Sequence, residues 1–283
     1  MAILIDGKTY AAEIRAGVRE EISKLPRKPG LAVILVGEDP ASELYVKNKA
    51  KDCDECGIVS RRIDLPFDTQ EENLLSIIYK LNKDDLIDGI LVQLPLPEHI
   101  EEKTVIEAIN PEKDVDAFHP MTVGRMVRGD SIVWPCTPEG ILELLRKYDI
   151  NPDGKICVVV GRSNIVGKPM GLQLLNVHGT VIYCNRHTPD LKAMTKQADI
   201  LIVAAGHEGL ITGDMVKDGV AVIDVAMNRN PETGKFIGDV VFDEVEKKAA
   251  FITPVPGGVG PMTRAMLMKN VLMLAKTRMG IKE

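Results

Sequence analysis

The chain has no apolar run that approaches the roughly 20 residues needed to span a membrane. Its first residues, MAILIDGKTY, carry an acid at position 6 and no long apolar core, so we do not expect a signal peptide. The net charge is −6, and no basic run or aromatic-interleaved basic patch indicates a nucleic-acid binder. These absences predict a soluble protein with neither a membrane nor a nucleic acid as partner.

Cysteine and histidine, five of each, are few and scattered. An odd number of cysteines in a chain of 283 residues indicates reduced thiols and a cytoplasmic location. Cys53 and Cys56 form a C-x-x-C pair, but there is no second pair and no clustered histidine to complete a zinc site. The pair falls towards the end of a predicted helix, whereas a thioredoxin-like pair opens one. We therefore predict no metal site.

Short apolar runs alternate with helical patterns along the chain. The runs predicted to be strands are 31–36, 58–65, 87–94, 156–160, 180–183, 200–204 and 220–225. The segments predicted to be helices include 43–55, 74–81, 138–148 and 265–278. Ser42 is the expected N-cap of the helix over 43–55. This alternation predicts an α/β fold with parallel strands joined by right-handed crossovers, and the length allows two domains.

The most informative stretch is KICVVVGRSNIVGKPMG, residues 155–171. A buried strand ends at Gly161, polar residues follow, and Gly167 leads into a helical pattern. Backbone N–H groups and the helix dipole make such a turn an anion site. The spacing G-x-S-x-x-x-G differs from the G-x-G-x-x-G dinucleotide fingerprint. The residues alone leave two alternatives open, a nucleotide phosphate loop and an ordinary βα turn.

The end of the following strand bears on the choice of cofactor. A site for NAD usually has Asp or Glu at this point, to bind the ribose hydroxyl groups. Here Arg186 stands about 25 residues after Gly161, where an arginine can pair with a 2′-phosphate. The sequence therefore favours NADP over NAD, unless Arg186 is a plain surface cation.

Four polar residues in the first half are candidates for chemistry. Tyr45 and Lys49 lie four apart and share one face of a helix, although Lys49 could equally be a solvated lysine. Gln93 ends an apolar strand, where its amide needs partners from the backbone, a ligand or a neighbouring lysine. Asp114 and Asp116 could cap turns or bind the N–H groups of a heterocycle.

Taken together, six segments resemble the bifunctional methylenetetrahydrofolate dehydrogenase/methenyltetrahydrofolate cyclohydrolase family over nearly the whole chain. The segments are YVKNKAKDCDECGI (45–58), DGILVQLPLP (88–97), PEKDVDAFHP (111–120), PCTPEGILELL (135–145), VVVGRSNIVGKP (158–169) and TPVPGGVGPMTRAML (253–267). Ala117 and Arg264 are local variations within these segments.

The resemblance implies two domains with the active site in a cleft between them. One is an N-terminal α/β domain with a mostly parallel sheet, residues 1–120, which binds folate and is completed by a C-terminal helix over 264–283. The other is a Rossmann-type NADP-binding domain over 121–263. Family members are usually homodimers, so we expect a homodimer here.

The resemblance also implies roles for individual residues. Lys49 is the expected catalytic lysine, Gln93 its partner, Tyr45 a residue that stacks along the folate, and Asp116 the acid that binds the pterin. The positions expected to bind the cofactor are Gly161, Arg162, Ser163, Gly167 and Arg186. The positions expected to bind substrate are Tyr45, Asp116, Pro256, Gly257 and Gly258.

The implied function is a step of one-carbon metabolism that supplies purine biosynthesis. NADP-dependent oxidation converts 5,10-methylenetetrahydrofolate into 5,10-methenyltetrahydrofolate, which is then hydrolysed to 10-formyltetrahydrofolate. Alternatives are a member that keeps only one of the two activities and a dehydrogenase that prefers NAD. A non-catalytic folate- or nucleotide-binding protein is a further alternative, which the intact set of Tyr45, Lys49, Gln93 and Asp116 disfavours.

Overall fold

A computed structural model describes residues 2–229 and 234–281. The chain divides into two compact units. We call Met1–Ala11 with Pro135–Thr263 the larger-sheet unit, and Ala12–Trp134 with Arg264–Glu283 the smaller-sheet unit. The domain boundaries after residues 120 and 263 and the cleft between domains stay predictions. The ends of the predicted first domain, residues 1, 282 and 283, lie outside the described residues.

The strands that were predicted from apolar runs are present, with ends within two residues of those expected. In chain order the strands are β1 (Ile3–Leu4), β2 (Gly30–Val36), β3 (Val59–Leu65), β4 (Gly89–Val92), β5 (Ile156–Val160), β6 (Thr180–Cys184), β7 (Ile200–Val203), β8 (Ala221–Asp224), β9 (Asn228–Arg229), β10 (Phe236–Ile237) and β11 (Phe251–Ile252).

The helices between them match the predicted segments, except that the helix predicted to end at 148 ends one residue earlier, and short helices are added between residues 100 and 130. They are α1 (Gly7–Ile22), α2 (Pro40–Cys56), α3 (Glu71–Asn82), α4 (Glu102–Ala108), α5 (Pro120–Arg128), α6 (Cys136–Lys147), α7 (Gly167–Asn176), α8 (Leu191–Thr195), α9 (Phe242–Val245) and α10 (Val259–Arg278). Within the two described stretches of chain, each helix is too short or too polar to pass through a lipid bilayer.

The main sheet of the larger-sheet unit has the strand order β1-β11-β8-β7-β5-β6, and all of its neighbouring strands run parallel. The central strands are apolar because the sheet buries both of their faces; β7 and β8 are buried along their whole length. After β5 the chain forms β6 on one side and then crosses to form β7 on the other side. The point between β5 and β7 is therefore a topological switch point, where open α/β sheets bind ligands at their carboxyl ends.

The smaller-sheet unit has the strand order β3-β2-β4, again parallel. Every residue of the central strand β2 is buried, whereas the edge strand β3 alternates between exposed and partly buried positions. A parallel bridge between Ile90 and Asp114 brings the loop after residue 110 beside β4. These features confirm the predicted α/β class with mostly parallel sheets.

Helix α2 begins before the position that the sequence predicted. Asp39, not Ser42, is its N-cap, and the Asp39 carboxylate accepts the backbone N–H of Ser42 at 2.8 Å. Pro40 occupies the first helical position, where its fixed φ suits the helix and its missing N–H is not needed. The helix ends at Gly57, whose φ of 82° gives a left-handed C-cap.

A buried ion pair joins α2 to α10 inside the smaller-sheet unit. The Asp52 side chain is 2% exposed and accepts the Nε and Nη2 of Arg264, each at 2.6 Å. The Nε of Arg15 lies 3.8 Å from the same carboxylate. The local variation at Arg264 thus has a bidentate partner, a geometry that offsets part of the cost of desolvating both charges.

We expect Arg264→Ala to lower the free energy of unfolding by about 2 kcal/mol, because it leaves the Asp52 carboxylate buried with only the distant Arg15. The double variant Asp52→Ala/Arg264→Ala should recover most of this loss, since it leaves no unpaired charge. Urea unfolding followed by circular dichroism measures both. Losses that simply add in the double variant would show that the pair is not coupled.

Candidate functional site

Helix α2 carries two of the predicted site residues on one face. Tyr45 is 44% exposed, and Lys49, one turn later, is partly buried. Val46, 1% exposed, and Cys53, fully buried, lie on the adjacent side of the helix and pack towards the core. Tyr45 is therefore available to an incoming ligand, with Lys49 beside it.

The Lys49 side chain is held by a neutral partner. Its Nζ donates a hydrogen bond to Oε1 of Gln93 at 2.9 Å. The Nε2 of Gln93 donates to the carbonyl of Leu94 at 2.6 Å, which fixes the orientation of the amide. Gln93 directly follows β4 and stands at the carboxyl edge of the smaller sheet. The contact considered from the sequence is present, and it brings no second charge to the amine.

Asp114 and Asp116 differ although they stand two residues apart. The buried Asp114 carboxylate accepts the N–H groups of Phe118 and His119 and the hydroxyl of Thr122, so it organises the loop. The partly buried Asp116 carboxylate accepts no hydrogen bond from any residue that the structure describes. Burial raises its pKa to about 6, and the nearby charge of Lys49 opposes part of that rise. Asp116 is the member of the pair that can accept from a ligand.

Two residues that the sequence analysis missed support this loop. Lys113 is fully buried, and its ammonium donates to the carbonyls of Leu81 and Asp84 at 2.8 and 2.7 Å. Asn270 on α10 donates to the carbonyl of Val115 at 2.9 Å. A lysine in a polar segment gives no sign of burial, but an asparagine inside the apolar final helix is a signal that could have been used.

The glycine turn after β5 is packed too closely to hold a side chain at either of two glycines. Gly161 has a φ of 142°, and a Cβ there would lie 2.4 Å from the carbonyl oxygen of Ala204. A Cβ at Gly167 would lie 2.4 Å from the carbonyl oxygen of Gly161. The backbone amides of Val166 and Gly167 donate to Oγ of Ser163 at 3.2 and 3.3 Å. This close-packed turn at the start of α7 fits the phosphates of a dinucleotide.

Exposed cations stand on both sides of the turn. Arg162 follows Gly161 at the end of β5, and Arg186 lies just past β6, the neighbouring strand. The N–H of Gly161 donates to the carbonyl of Cys184 at 2.9 Å, which sets the ends of the two strands together. The Nε of Arg186 donates to Nε2 of His187 at 3.2 Å, and its other guanidinium N–H groups remain available to an anion.

The predicted substrate loop lies in the larger-sheet unit. Gly257 has a φ of 115°, and the N–H of Gly258 donates to the carbonyl of Pro254 at 2.9 Å. A Cβ at Gly7 would lie 1.8 Å from the carbonyl oxygen of Gly258, so the start of α1 packs directly on this loop. Pro256, Gly257 and Gly258 thus form a tightly braced backbone segment.

The cysteine pair shows no reactive character. Cys53 and Cys56 are both buried and unbridged, and burial raises the pKa of each thiol to about 12. Both thiols are therefore protonated at neutral pH. Over residues 2–229 and 234–281 there is no group of three or more His, Cys, Asp or Glu side chains that could hold a metal ion.

Comparison with protein families matches two domains of one family. Residues 5–116 match the tetrahydrofolate dehydrogenase/cyclohydrolase catalytic domain. Residues 135–279 match the tetrahydrofolate dehydrogenase/cyclohydrolase NAD(P)-binding domain. Tyr45, Lys49, Gln93 and Asp116 fall in the first match, and the glycine turn and Arg186 fall in the second.

Individual relatives are similar over almost their whole length. The bifunctional protein FolD of Moorella thermoacetica is 57% identical, covering 97% of this chain and 99% of the relative. The crystal structure of the bifunctional FolD methylenetetrahydrofolate dehydrogenase/cyclohydrolase of Campylobacter jejuni is 50% identical, with a TM-score of 0.96, over 98% of this chain and 100% of the other.

A third relative was solved with ligands. The Trypanosoma brucei N5,N10-methylenetetrahydrofolate dehydrogenase-cyclohydrolase, in complex with NADP cofactor and an inhibitor, is 38% identical, with a TM-score of 0.93, over 98% of each chain. Both domain matches and the full-length relatives lead to one conclusion. The chain belongs to the tetrahydrofolate dehydrogenase/cyclohydrolase family.

Proposed function

We propose the residues with which this chain carries out the two reactions of its family. It oxidises 5,10-methylenetetrahydrofolate to the 5,10-methenyl form with NADP, and it hydrolyses the methenyl form to 10-formyltetrahydrofolate. The observation that carries the assignment is the hydrogen bond of 2.9 Å from Lys49 to Gln93. It places an amine, oriented by an uncharged amide, at the carboxyl edge of the smaller sheet.

The hydrolytic step needs proton transfer, which Lys49 supplies in this proposal. Water adds to the cationic methenyl carbon, the bond from that carbon to one ring nitrogen breaks, and the nitrogen keeps the electron pair. The attacking water loses its protons and the released nitrogen gains one. A side chain beside the substrate that accepts a proton from the water and donates one to the nitrogen therefore accelerates both events. Gln93 orients Lys49 through a neutral amide oxygen. It adds no negative charge, which would stabilise the cationic substrate before it reacts and so raise the barrier to hydrolysis.

The oxidative step depends on alignment rather than on a base. When bound, NADP supplies the acceptor for the hydride that leaves the one-carbon bridge. Loss of hydride is driven by a folate nitrogen, so the protein contributes orientation. Tyr45 stacks along the folate, and Asp116 accepts N–H groups of the pterin. Pro256, Gly257 and Gly258 complete the substrate-binding residues.

NADP is held by the residues of the glycine turn and the end of β6. Gly161 and Gly167 let the turn pack tightly against neighbouring backbone, and the N–H groups at the start of α7 then face the pyrophosphate. Ser163 fixes the turn through its hydroxyl oxygen. Arg162 and Arg186 carry the charge that favours a 2′-phosphate over the two hydroxyl groups of NAD. We further propose that the chain forms a homodimer, which light scattering of the purified chain would test. We also propose a cytoplasmic location.

We expect Lys49→Ala to reduce hydrolysis of methenyltetrahydrofolate by about 10²–10⁴-fold, the range of acid–base catalysis, while the fold is kept. Lys47→Ala, which removes an exposed lysine from the same helix, is the matched control and should keep wild-type activity. NADP reduction and methenyl hydrolysis are assayed separately, which also distinguishes a bifunctional from a monofunctional enzyme. Hydrolysis at the wild-type rate in Lys49→Ala would exclude the assignment.

Binding of tetrahydrofolate should weaken as the pH falls through about 6, the value to which burial raises the pKa of Asp116. The sign follows from the charge: above this pH the carboxylate accepts N–H groups, and below it the protonated acid has lost that charge. We expect a dissociation constant about tenfold higher at pH 5 than at pH 7.5 in calorimetric titrations. Asp116→Asn should bind weakly with little pH dependence; a variant with the wild-type profile would assign the titration elsewhere.

Arg186→Ala should raise the KM for NADP by about tenfold and change the KM for NAD much less, because only NADP has the 2′-phosphate. The exposed Lys196 is a cation elsewhere in the same unit, and Lys196→Ala is the control for a general loss of positive charge. Steady-state rates with each cofactor give the two ratios. Equal effects on both cofactors would remove the 2′-phosphate role from Arg186.

A further inference from the structure

A buried carboxylate in the larger-sheet unit has no part in the roles proposed above. Asp239 is fully buried within the apolar run FIGDVVF, and its two oxygens accept several hydrogen bonds. Oδ2 accepts the backbone N–H of Ala205 at 2.7 Å and of Gly206 at 2.9 Å. Oδ1 accepts the backbone N–H of His207 at 2.7 Å and Nδ2 of Asn228 at 2.9 Å.

The three consecutive amides belong to the loop that follows β7, residues 204–207. The N–H of Ala204 donates to the carbonyl of Val160 at 2.8 Å, and the Ala204 carbonyl occupies the space beside Gly161. The loop therefore begins in contact with the glycine turn, on the β7 side of the switch point. Because ligands of open α/β sheets bind outside the carboxyl ends of the strands at that point, this loop forms one wall of the cofactor crevice.

The carboxylate explains how the loop can take this path. Three successive N–H groups turn away from solvent, and without acceptors they would be left unsatisfied in the interior. A carboxylate offers acceptor sites on both oxygens, and its charge strengthens each bond. An amide at the same position would present one acceptor and one donor, and the donor would face an N–H group.

Asp239 is itself fixed by a second buried carboxylate. Asp224, the last residue of β8, accepts the N–H of Asp239 at 3.1 Å and the N–H of Val240 at 2.9 Å. A Cβ at Gly238 would lie 1.9 Å from Oδ2 of Asp224, so the backbone passes against this side chain. The end of β8 thus determines where the Asp239 carboxylate lies, and that carboxylate determines the path of the loop after β7.

We propose that Asp239 is a positioning residue for the cofactor, because it holds loop 204–207 in the conformation that receives the dinucleotide. The inference rests on the proposed function in that NADP binds at the glycine turn. It assigns Asp239 no contact with the cofactor and no part in hydrolysis of the methenyl group.

The test is the equilibrium affinity for NADP, measured by calorimetry without folate, of the wild-type chain and of Asp239→Asn. We expect the dissociation constant to rise at least tenfold, while hydrolysis of methenyltetrahydrofolate, which needs no cofactor, stays within twofold of the wild-type rate. Asp199→Asn is the matched control. Asp199 accepts the N–H of Ile156 at 2.8 Å and Nζ of Lys217 at 2.6 Å, at the opposite end of β5. That variant should lose thermal stability and keep the affinity for NADP.

An unchanged affinity for NADP in folded Asp239→Asn would overturn the inference. So would a loss of hydrolysis in Asp239→Asn as large as its loss of affinity for NADP, or a loss of affinity in Asp199→Asn as large as that in Asp239→Asn. If Asp239→Asn does not fold, Asp239→Glu keeps the charge but moves the oxygens, and the same criteria apply to it. A wild-type chain that binds no NADP would refute the proposed cofactor site and this inference with it. Normal wild-type binding with an unaffected variant would refute this inference alone.

Discussion

Parallel strands that are buried on both faces restrict where this chain can place polar chemistry. Within β2, β7 and β8 every position is buried, so functional groups lie outside these strands, in the loops and helices that follow their carboxyl ends. Gln93 directly follows β4, and Gly161 directly follows β5. The two residues meet the same constraint differently. The glutamine presents an amide that is held by the neighbouring backbone carbonyl of Leu94, whereas the glycine lets two strand ends and a turn pack closely enough to present backbone groups.

A second constraint is that each buried polar group needs a partner. The ammonium of Lys113 has two carbonyls, the carboxylate of Asp239 has three backbone amides and a side-chain amide, and Asp114 has two amides and a hydroxyl. Asp116 departs from this pattern, since its carboxylate receives no hydrogen bond within the described residues. A partly buried acceptor that receives no hydrogen bond from the described residues and lies near the charge of Lys49 suits a site that binds the N–H groups of a ligand.

The strands could be predicted because their signals are local, whereas the roles of the candidate site residues came from the family resemblance and stay predictions. Apolar runs give strands, and helical spacing puts Tyr45 and Lys49 on one face. The start of α2 was predicted wrongly at Ser42, since Asp39 and Ser42 are both good caps and only the path of the preceding loop chooses between them. The partners of Lys113 and Asp239 could not be predicted, because they are backbone groups brought near by tertiary structure, which no sequence pattern records.

Ala117 and Arg264, the two positions interpreted from the sequence as local variations, each have a structural explanation. Ala117 has a φ of 60°, a left-handed conformation that costs an alanine about 1–2 kcal/mol relative to glycine, and it lies directly beside Asp116. Arg264 adds a charge, and the buried Asp52 on α2, one turn after Lys49, accepts it. Ala117 thus affects backbone strain, and Arg264 affects packing between α2 and α10. Neither side chain is among those proposed to meet the substrate, so both residues are compatible with the chemistry of the family.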